Sequence, residues 1–270
     1  MRTVELLKNY FSSQSIEYFA SLSYKDCREI NTGIRERAGF MPRSVILFLV
    51  PYYFGECENM SRYCASLDYH IAIKEISSGL IEMLKSEFPE AHFCSYGDHS
   101  PIDECHAALI AGLGVRGDNG LLINEKYGSY IFIGDTVTDI SPEVLGAVTP
   151  VTPGECLHCG ACRRACPTKI LSGEGSDCLS AITQRKGELS ENEVALMRKL
   201  NTVWGCDECQ ACCPYNKSPI LTPVSFFQRD RIECLTSEIL SGLDKENFKK
   251  RAFAWRGRKT GERNLKYLGY

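Results

Sequence analysis

Eight of the fifteen cysteines in this 270-residue chain fall into two copies of one short pattern, and no other feature limits the fold as tightly. The first copy is Cys156-x2-Cys159-x2-Cys162-x3-Cys166-Pro167. The second is Cys206-x2-Cys209-x3-Cys213-Pro214, with Cys178 lying between the two. Spacing of this kind, closed by proline, holds two 4Fe–4S clusters. Thiols at x2 intervals let one tight loop reach several corners of a cubane. The cysteine before proline is turned away toward the other cluster, because proline cannot extend a helix.

Cross-ligation then assigns Cys156, Cys159, Cys162 and Cys213 to cluster one, and Cys166, Cys178, Cys206 and Cys209 to cluster two. Cys212 opens a competing register, since Cys206-x2-Cys209-x2-Cys212 is also a triad. In that register Cys178 is spare and the adjacent Cys212 and Cys213 serve different clusters; the lost x3 gap favours Cys178. Zinc sites have no use for the Cys-Pro ending. A disulfide framework belongs to short secreted chains, and the N-terminus reads as an amphipathic helix rather than a targeting segment. The other seven cysteines lack metal spacing and read as small buried hydrophobes in a reducing cytoplasm.

An apolar fraction of 44% suits a soluble globular protein, and no run approaches the ~18 apolar residues of a membrane helix. Charge is uneven. Residues 245–270 carry nine Lys or Arg (Lys245, Lys249, Lys250, Arg251, Arg256, Arg258, Lys259, Arg263, Lys266) against two Glu. That surplus of seven leaves −10 on the rest of a chain whose net charge is −3. With Phe253, Trp255 and Tyr267 interleaved, this tail either tracks a phosphate backbone or forms a solvated helical face.

The pattern predicts helix over residues 1–20, and a strand over 44–53 buried on both faces. Further helices are expected near 68–87 and 102–113, with a short strand at 91–95. Residues 121–124 and 129–138 read as paired strands joined by a turn at 125–128. Beyond Pro219, Ile232, Leu235, Ile239 and Leu243 place one apolar face on a helix. Gly112-Leu-Gly114-Val-Arg-Gly117 matches a dinucleotide fingerprint but follows a helix and precedes a strand, the wrong context. Its glycines instead let backbone approach another strand or a flat cofactor.

Several longer stretches carry a resemblance: Ser61-Arg62-Tyr63 with Asp68-Tyr69-His70, Asp98-His-Ser100-Pro101-Ile-Asp-Glu104, and Ala111-Gly112-Leu113-Gly114 through Gly117. To these are added Gly128-Ser129 through Gly134-Asp135, Gly205-Cys206-Asp207-Glu-Cys209-Gln210, Cys213-Pro214-Tyr215-Asn216 and Arg263-Asn264-Leu265. In this order the motifs resemble the epoxyqueuosine reductases, cobalamin-dependent iron–sulfur enzymes of tRNA modification related to reductive dehalogenases. The resemblance implies an α/β (α+β) fold in three parts. A nitroreductase-like corrinoid-binding catalytic domain spans 1–148, a double 4Fe–4S ferredoxin-like domain 149–219, and a basic helical segment 220–270.

It further implies that a cluster reduces bound cobalamin to Co(I), which attacks an epoxide carbon of the modified base or passes it an electron. An acid of the Asp-x-x-Pro motif supplies the proton, and Asp98 holds that place. Burial against a corrin would keep such a carboxyl protonated. Its alternative role is to cap the helix near Pro101, for which Ser100 is better placed. Arg62, Tyr63, Asp98, Gly117, Asn119 and Gly120 are the expected corrinoid contacts, while His70 reads as a structural histidine. The expected partners are tRNA, through the basic tail, and an external low-potential electron donor; the chain is expected to be a cytoplasmic monomer. Val115 and Asp118 depart from the Trp and Lys common in the family. The helical repeats that often follow the family's core are not expected here, which leaves more tRNA contact to the tail. The other readings are a corrinoid iron–sulfur reductase of another small substrate, and a non-catalytic two-cluster electron carrier.

Overall fold

A computed structural model describes residues 2–270. The chain forms two compact units: residues 1–51 with 70–157, and residues 52–69 with 158–270.

In the first unit the elements run α1 (Arg2–Ser13), β1 (Phe19–Ser23), α2 (Thr32–Arg37), β2 (Ser44–Pro51), α3 (Tyr69–Glu87), β3 (Phe93–Tyr96), α4 (Glu104–Ile110), β4 (Val115–Arg116), β5 (Leu122–Ile123), β6 (Ile131–Thr138), α5 (Pro142–Leu145) and β7 (Gly154–Glu155). The main sheet has the order β1-β2-β6-β3, with every pair antiparallel. Each residue of β2 is buried. Val45, Leu47 and Leu49 join α4 residues Ala107, Ala108 and Leu109 in one core cluster. On alternate positions Phe48 meets Phe11 of α1, with ring centroids 5.4 Å apart. The continuous apolar run in the sequence thus reflects a strand covered on both faces, even though its neighbours are antiparallel. Gly134 of β6 lies opposite Phe48, and a Cβ there would come within 2.3 Å of the Phe48 ring.

Two expectations change here. Helix α1 stops at Ser13, and Phe19–Ser23 forms an edge strand instead. The expected hairpin also pairs differently. β6 lies between β2 and β3, whereas β5 pairs with β4 in a small sheet of order β5-β4-β7. The turn survives as reciprocal backbone bonds between Asn124 and Gly128, at 2.8 and 3.0 Å. Alternation alone gives each strand's face and cannot name its partner.

The second unit contains α6 (Ala161–Ala165), α7 (Leu179–Gln184), α8 (Glu191–Lys199), α9 (Glu208–Ala211), α10 (Ser237–Gly242), α11 (Lys245–Lys249) and α12 (Arg258–Leu268). Residues 52–69, which a linear reading places with the first unit, belong to this one. Backbone bonds tie them in: Ser61 N–H to Trp204 O (2.8 Å), Val203 N–H to Asn59 O (2.7 Å) and Asp68 N–H to Lys250 O (2.8 Å). Residues 158–219 and 220–270 also form a single unit rather than two. Met60, Trp204, Ile232, Leu235, Leu240, Phe253 and Leu265 share its core. Ile232 and Leu235 precede α10, so the expected single helical face is broken; Leu240 is the buried member of that helix and Ile239 is 40% exposed. Asn264 donates to Thr183 O (2.7 Å) and Val203 O (2.8 Å), which fixes α12. Among the described residues no helix is long and apolar enough to cross a membrane.

Candidate cluster cysteines and the Asp98 loop

The fifteen cysteines are not paired in disulfides. In the second unit α6 packs against α9, which brings Cys162 and Cys209 onto neighbouring helices. Cys166 and Cys213 both end in extended backbone (ψ 113° and 129°), as a residue before proline must. That geometry stops α6 at Cys166, whereas α9 ends at Ala211, two residues before Cys213.

Burial pushes the Cys166 thiol up, but N–H groups of Leu171, Thr168 and Ile170 with the Thr168 hydroxyl outweigh it and pull it below the usual range. Amide hydrogen bonds to sulfur are the environment of a cluster thiolate. Burial drives Cys206 up to about 12; the Glu208 amide pulls it back and the charge of Cys178 adds to the rise. Cys212 is raised by burial and then by Cys162 and Cys213. The Cys212 thiol itself donates to the Cys209 carbonyl at 3.6 Å. An all-thiol donor set at this spacing fits two clusters.

Asp207, next to Cys206, is buried and gathers four donors. Ser61 Oγ (2.5 Å) and Gln210 Nε2 (3.2 Å) bond its Oδ1. The Arg62 amide (2.7 Å) and guanidinium (3.1 Å) bond its Oδ2. Gly205 (φ +76°) permits the approach, since a Cβ there would lie 2.4 Å from that of Ser61. Arg62 also pairs with Glu56. Tyr63 packs against the unit's core, its ring 6.5 Å from that of Tyr69. These two expected corrinoid contacts are thus held firmly by their own unit.

In the first unit β3 leads into the loop of Asp98. Gly97 is pressed so close to α3 that a Cβ would meet Ile73 Cδ1 at 2.8 Å. Asp98 follows in left-handed backbone (φ +80°), a conformation only Gly, Asn and Asp visit readily. Its carboxyl is 55% exposed and lies 3.5 Å from His70 Nε2. The helix cap falls elsewhere: Asp103 caps α4 by accepting from the His106 amide at 2.9 Å. Ser100, the expected cap, instead donates to Asp135 at 2.8 Å. A recess of about 290 Å³ borders the loop, lined by His70, Lys74, Ser77, Ser95, Tyr96 and Gly97 among others. The sequence reads His70 as a structural histidine, and the structure places it beside Asp98. Its signal was position, at the start of α3 and so within reach of the β3 loop.

Gly117, Asn119 and Gly120 lie together in the turn between β4 and β5. The Gly120 amide bonds Gly117 O at 2.9 Å, and Asn119 Oδ1 accepts from the Leu121 amide at 3.2 Å. Gly114 approaches strand β5, where a Cβ would lie 2.5 Å from Ile123 O. In the tail Arg251, Arg258 and Arg263 bond backbone carbonyls, so they serve the fold. Lys245, Lys249, Lys250, Lys259 and Lys266 are exposed.

Residues 155–216 match the family of 4Fe-4S double cluster binding domains. An epoxyqueuosine reductase of Listeria monocytogenes is 34% identical over 210 residues, covering 73% of this chain and 53% of the relative. One of Cyclobacterium marinum is 30% identical over 247 residues, covering 84% of this chain and 76% of the relative. The chain thus spans about half the length of the first of these relatives and three quarters of the second. A crystal structure of epoxyqueuosine reductase with a tRNA-Tyr epoxyqueuosine-modified stem loop shares the fold at a TM-score of 0.73 and 22% identity, covering 98% of this chain and 80% of that one. With cluster motif, fold and length of similarity in agreement, the chain belongs to the epoxyqueuosine reductase family.

Proposed function

We propose that this chain reduces epoxyqueuosine to queuosine in tRNA, drawing electrons through two 4Fe–4S clusters and using cobalamin, with Asp98 as proton donor. The Asp98 loop carries the reading. Left-handed backbone holds a half-exposed carboxyl beside His70 at the edge of a recess. The modified stem loop held by a protein of the same fold supports the substrate class.

Converting an epoxide to an alkene consumes two electrons and two protons and releases the oxygen as water. Cluster one would use Cys156, Cys159, Cys162 and Cys213; cluster two would use Cys166, Cys178, Cys206 and Cys209. Clusters so held pass electrons singly. Cobalamin, when bound, would supply a cobalt centre that serves as a low-valent nucleophile or one-electron donor. Arg62, Tyr63, Asp98, Gly117, Asn119 and Gly120 would hold it. Gly120 turns the chain in left-handed backbone (φ +83°) and leaves open space where its Cβ would be.

Asp98 would give its proton to the oxygen that leaves the carbon. An exposed aspartate is ionised at neutral pH, so the carboxyl becomes an acid only when ligand covers it and excludes water. His70 would orient that carboxyl, and the exposed lysines of the tail would meet the tRNA backbone.

The test adds cobalamin to the purified protein, follows corrin absorbance, and then supplies a low-potential reductant and epoxyqueuosine stem loop. Binding followed by queuosine formation is expected. Binding without turnover, with clusters intact, would point to another small substrate. No binding would leave an electron carrier.

A further inference from the structure

Beneath the Asp98 loop lie two acids that the reaction does not use. Asp135 sits on β6 between Leu47 of β2 and Tyr96 of β3, and is fully buried. Glu104 opens α4. Ser100 Oγ donates to Asp135 Oδ2 at 2.8 Å, while the Asp98 amide donates to the Glu104 carboxyl. The two carboxyls act on each other, each being among the groups that shift the other. Yet Asp135 Oδ1 and Glu104 Oε1 are both buried without a donor.

Two ionised carboxylates can only accept, so they leave those oxygens unsatisfied and add like-charge repulsion. One proton between them removes both problems. We propose that Glu104 and Asp135 share a proton and so clamp both ends of the Asp98–Ser100 loop, acting as positioning residues for Asp98. The functional part of this inference rests on the reading of Asp98 as proton donor; the clamp itself does not.

The electrostatics agree. Burial raises Glu104 to about 8, helped by the charges of Asp135 and Asp98. Burial raises Asp135 to about 7, against the bonds from Ser100 and Glu104. The other titratable groups facing the pair are Asp98 and Asp103 in the loop, Cys105 on α4, Cys27 after β1 and Tyr96 on β3. His99 in the loop and His106 on α4, whose Nδ1 is buried without a partner, are the bases on these elements. Arg37 and Arg116 act on Tyr96 and Cys105, and no cation is among the leading influences on either carboxyl. A carboxyl raised in the folded state contributes stability that is complete below its ordinary range. That contribution is lost as pH rises from about 4.5 through about 8.

The test measures amide hydrogen exchange of residues 98–100 in the full chain at pH 6 and pH 9, corrected for intrinsic rates, together with the infrared band of protonated carboxyl. In the wild type, protection should fall about tenfold or more across this interval, the effect of one pKa unit of differential interaction. Glu104→Gln keeps a donor toward Asp135 and cannot titrate. It should keep protection at both pH values and lose the infrared band. Glu104→Ala should lose protection at both. Identical pH dependence in the wild type and Glu104→Gln, or an unchanged band, would overturn the clamp whatever the enzyme's turnover. Full turnover of Asp98→Asn with the clamp intact would instead overturn only the proton-donor reading.

Discussion

The Arg62 amide and guanidinium both donate to one oxygen of Asp207, at 2.7 and 3.1 Å. This contact joins residues 145 apart and explains why Ser61-Arg62 and the Cys206-Asp207-x-Cys209-Gln210 loop occur together. A thiol loop holds its shape only if the backbone beside it is fixed, and Asp207 fixes it against residues 52–69.

Asp207→Ala would strand a guanidinium whose side chain is 16% exposed and remove the acceptor of four donors. Breaking one partner of a buried pair costs about 3 kcal/mol or more. Urea unfolding should show that loss, together with reduced iron content. Wild-type stability would mean that Glu56 alone suffices for Arg62.

Cys178→Ala should remove one cluster, about four of eight iron atoms. Cys212→Ala should leave both, because Cys212 directly precedes Cys213 and its use would remove the x3 gap that separates the two sites. Iron analysis and electron paramagnetic resonance read this directly. Four irons lost from Cys212→Ala instead would restore the other register.

Much of this was legible in the sequence because it is local. The cysteine spacing, the buried run of β2 and the stripe of α3 depend on residues a few positions apart. What was not legible depends on pairing at a distance. β6 reads as the partner of the segment beside it, yet it inserts between β2 and β3. Residues 52–69 look continuous with β2 but bond to 203–204 and 250. Asp135 shows in a motif, but only the fold reveals that it lies buried beneath Ser100.

Gly134→Ala tests the sheet's interior. The new methyl would lie 2.3 Å from the Phe48 ring, which is itself held against Phe11. Overpacking of this kind costs about 1–3 kcal/mol. A lowered denaturation midpoint with unchanged slope is expected. Phe48→Leu in the same background should recover part of the loss.

The lysines of the tail separate by burial from its arginines. Charge reversal at Lys249, Lys250, Lys259 and Lys266, all exposed, should weaken tRNA binding without unfolding the chain. Each lost phosphate contact should flatten the log–log salt slope by about 0.7–0.9. An unchanged slope would make the tail a solvated face. Arg263→Ala is no substitute, because Arg263 bonds the carbonyls of Arg185 and Gly187 and its loss disturbs the fold.

Asp98→Asn isolates the proton from the backbone. Asparagine tolerates a φ of +80° nearly as well as aspartate, so the loop keeps its shape while the acid disappears. Turnover should fall about 10²–10⁴-fold, the range of general acid–base catalysis. Cluster content and cobalamin affinity should hold. Asp98→Ala would add backbone strain and blur the result. His70→Ala should cost less than Asp98→Asn, because it removes only the group 3.5 Å from the carboxyl and leaves the acid. Near-normal turnover of Asp98→Asn on a modified stem loop would mean that the proton comes from elsewhere, and the left-handed loop would then need another explanation.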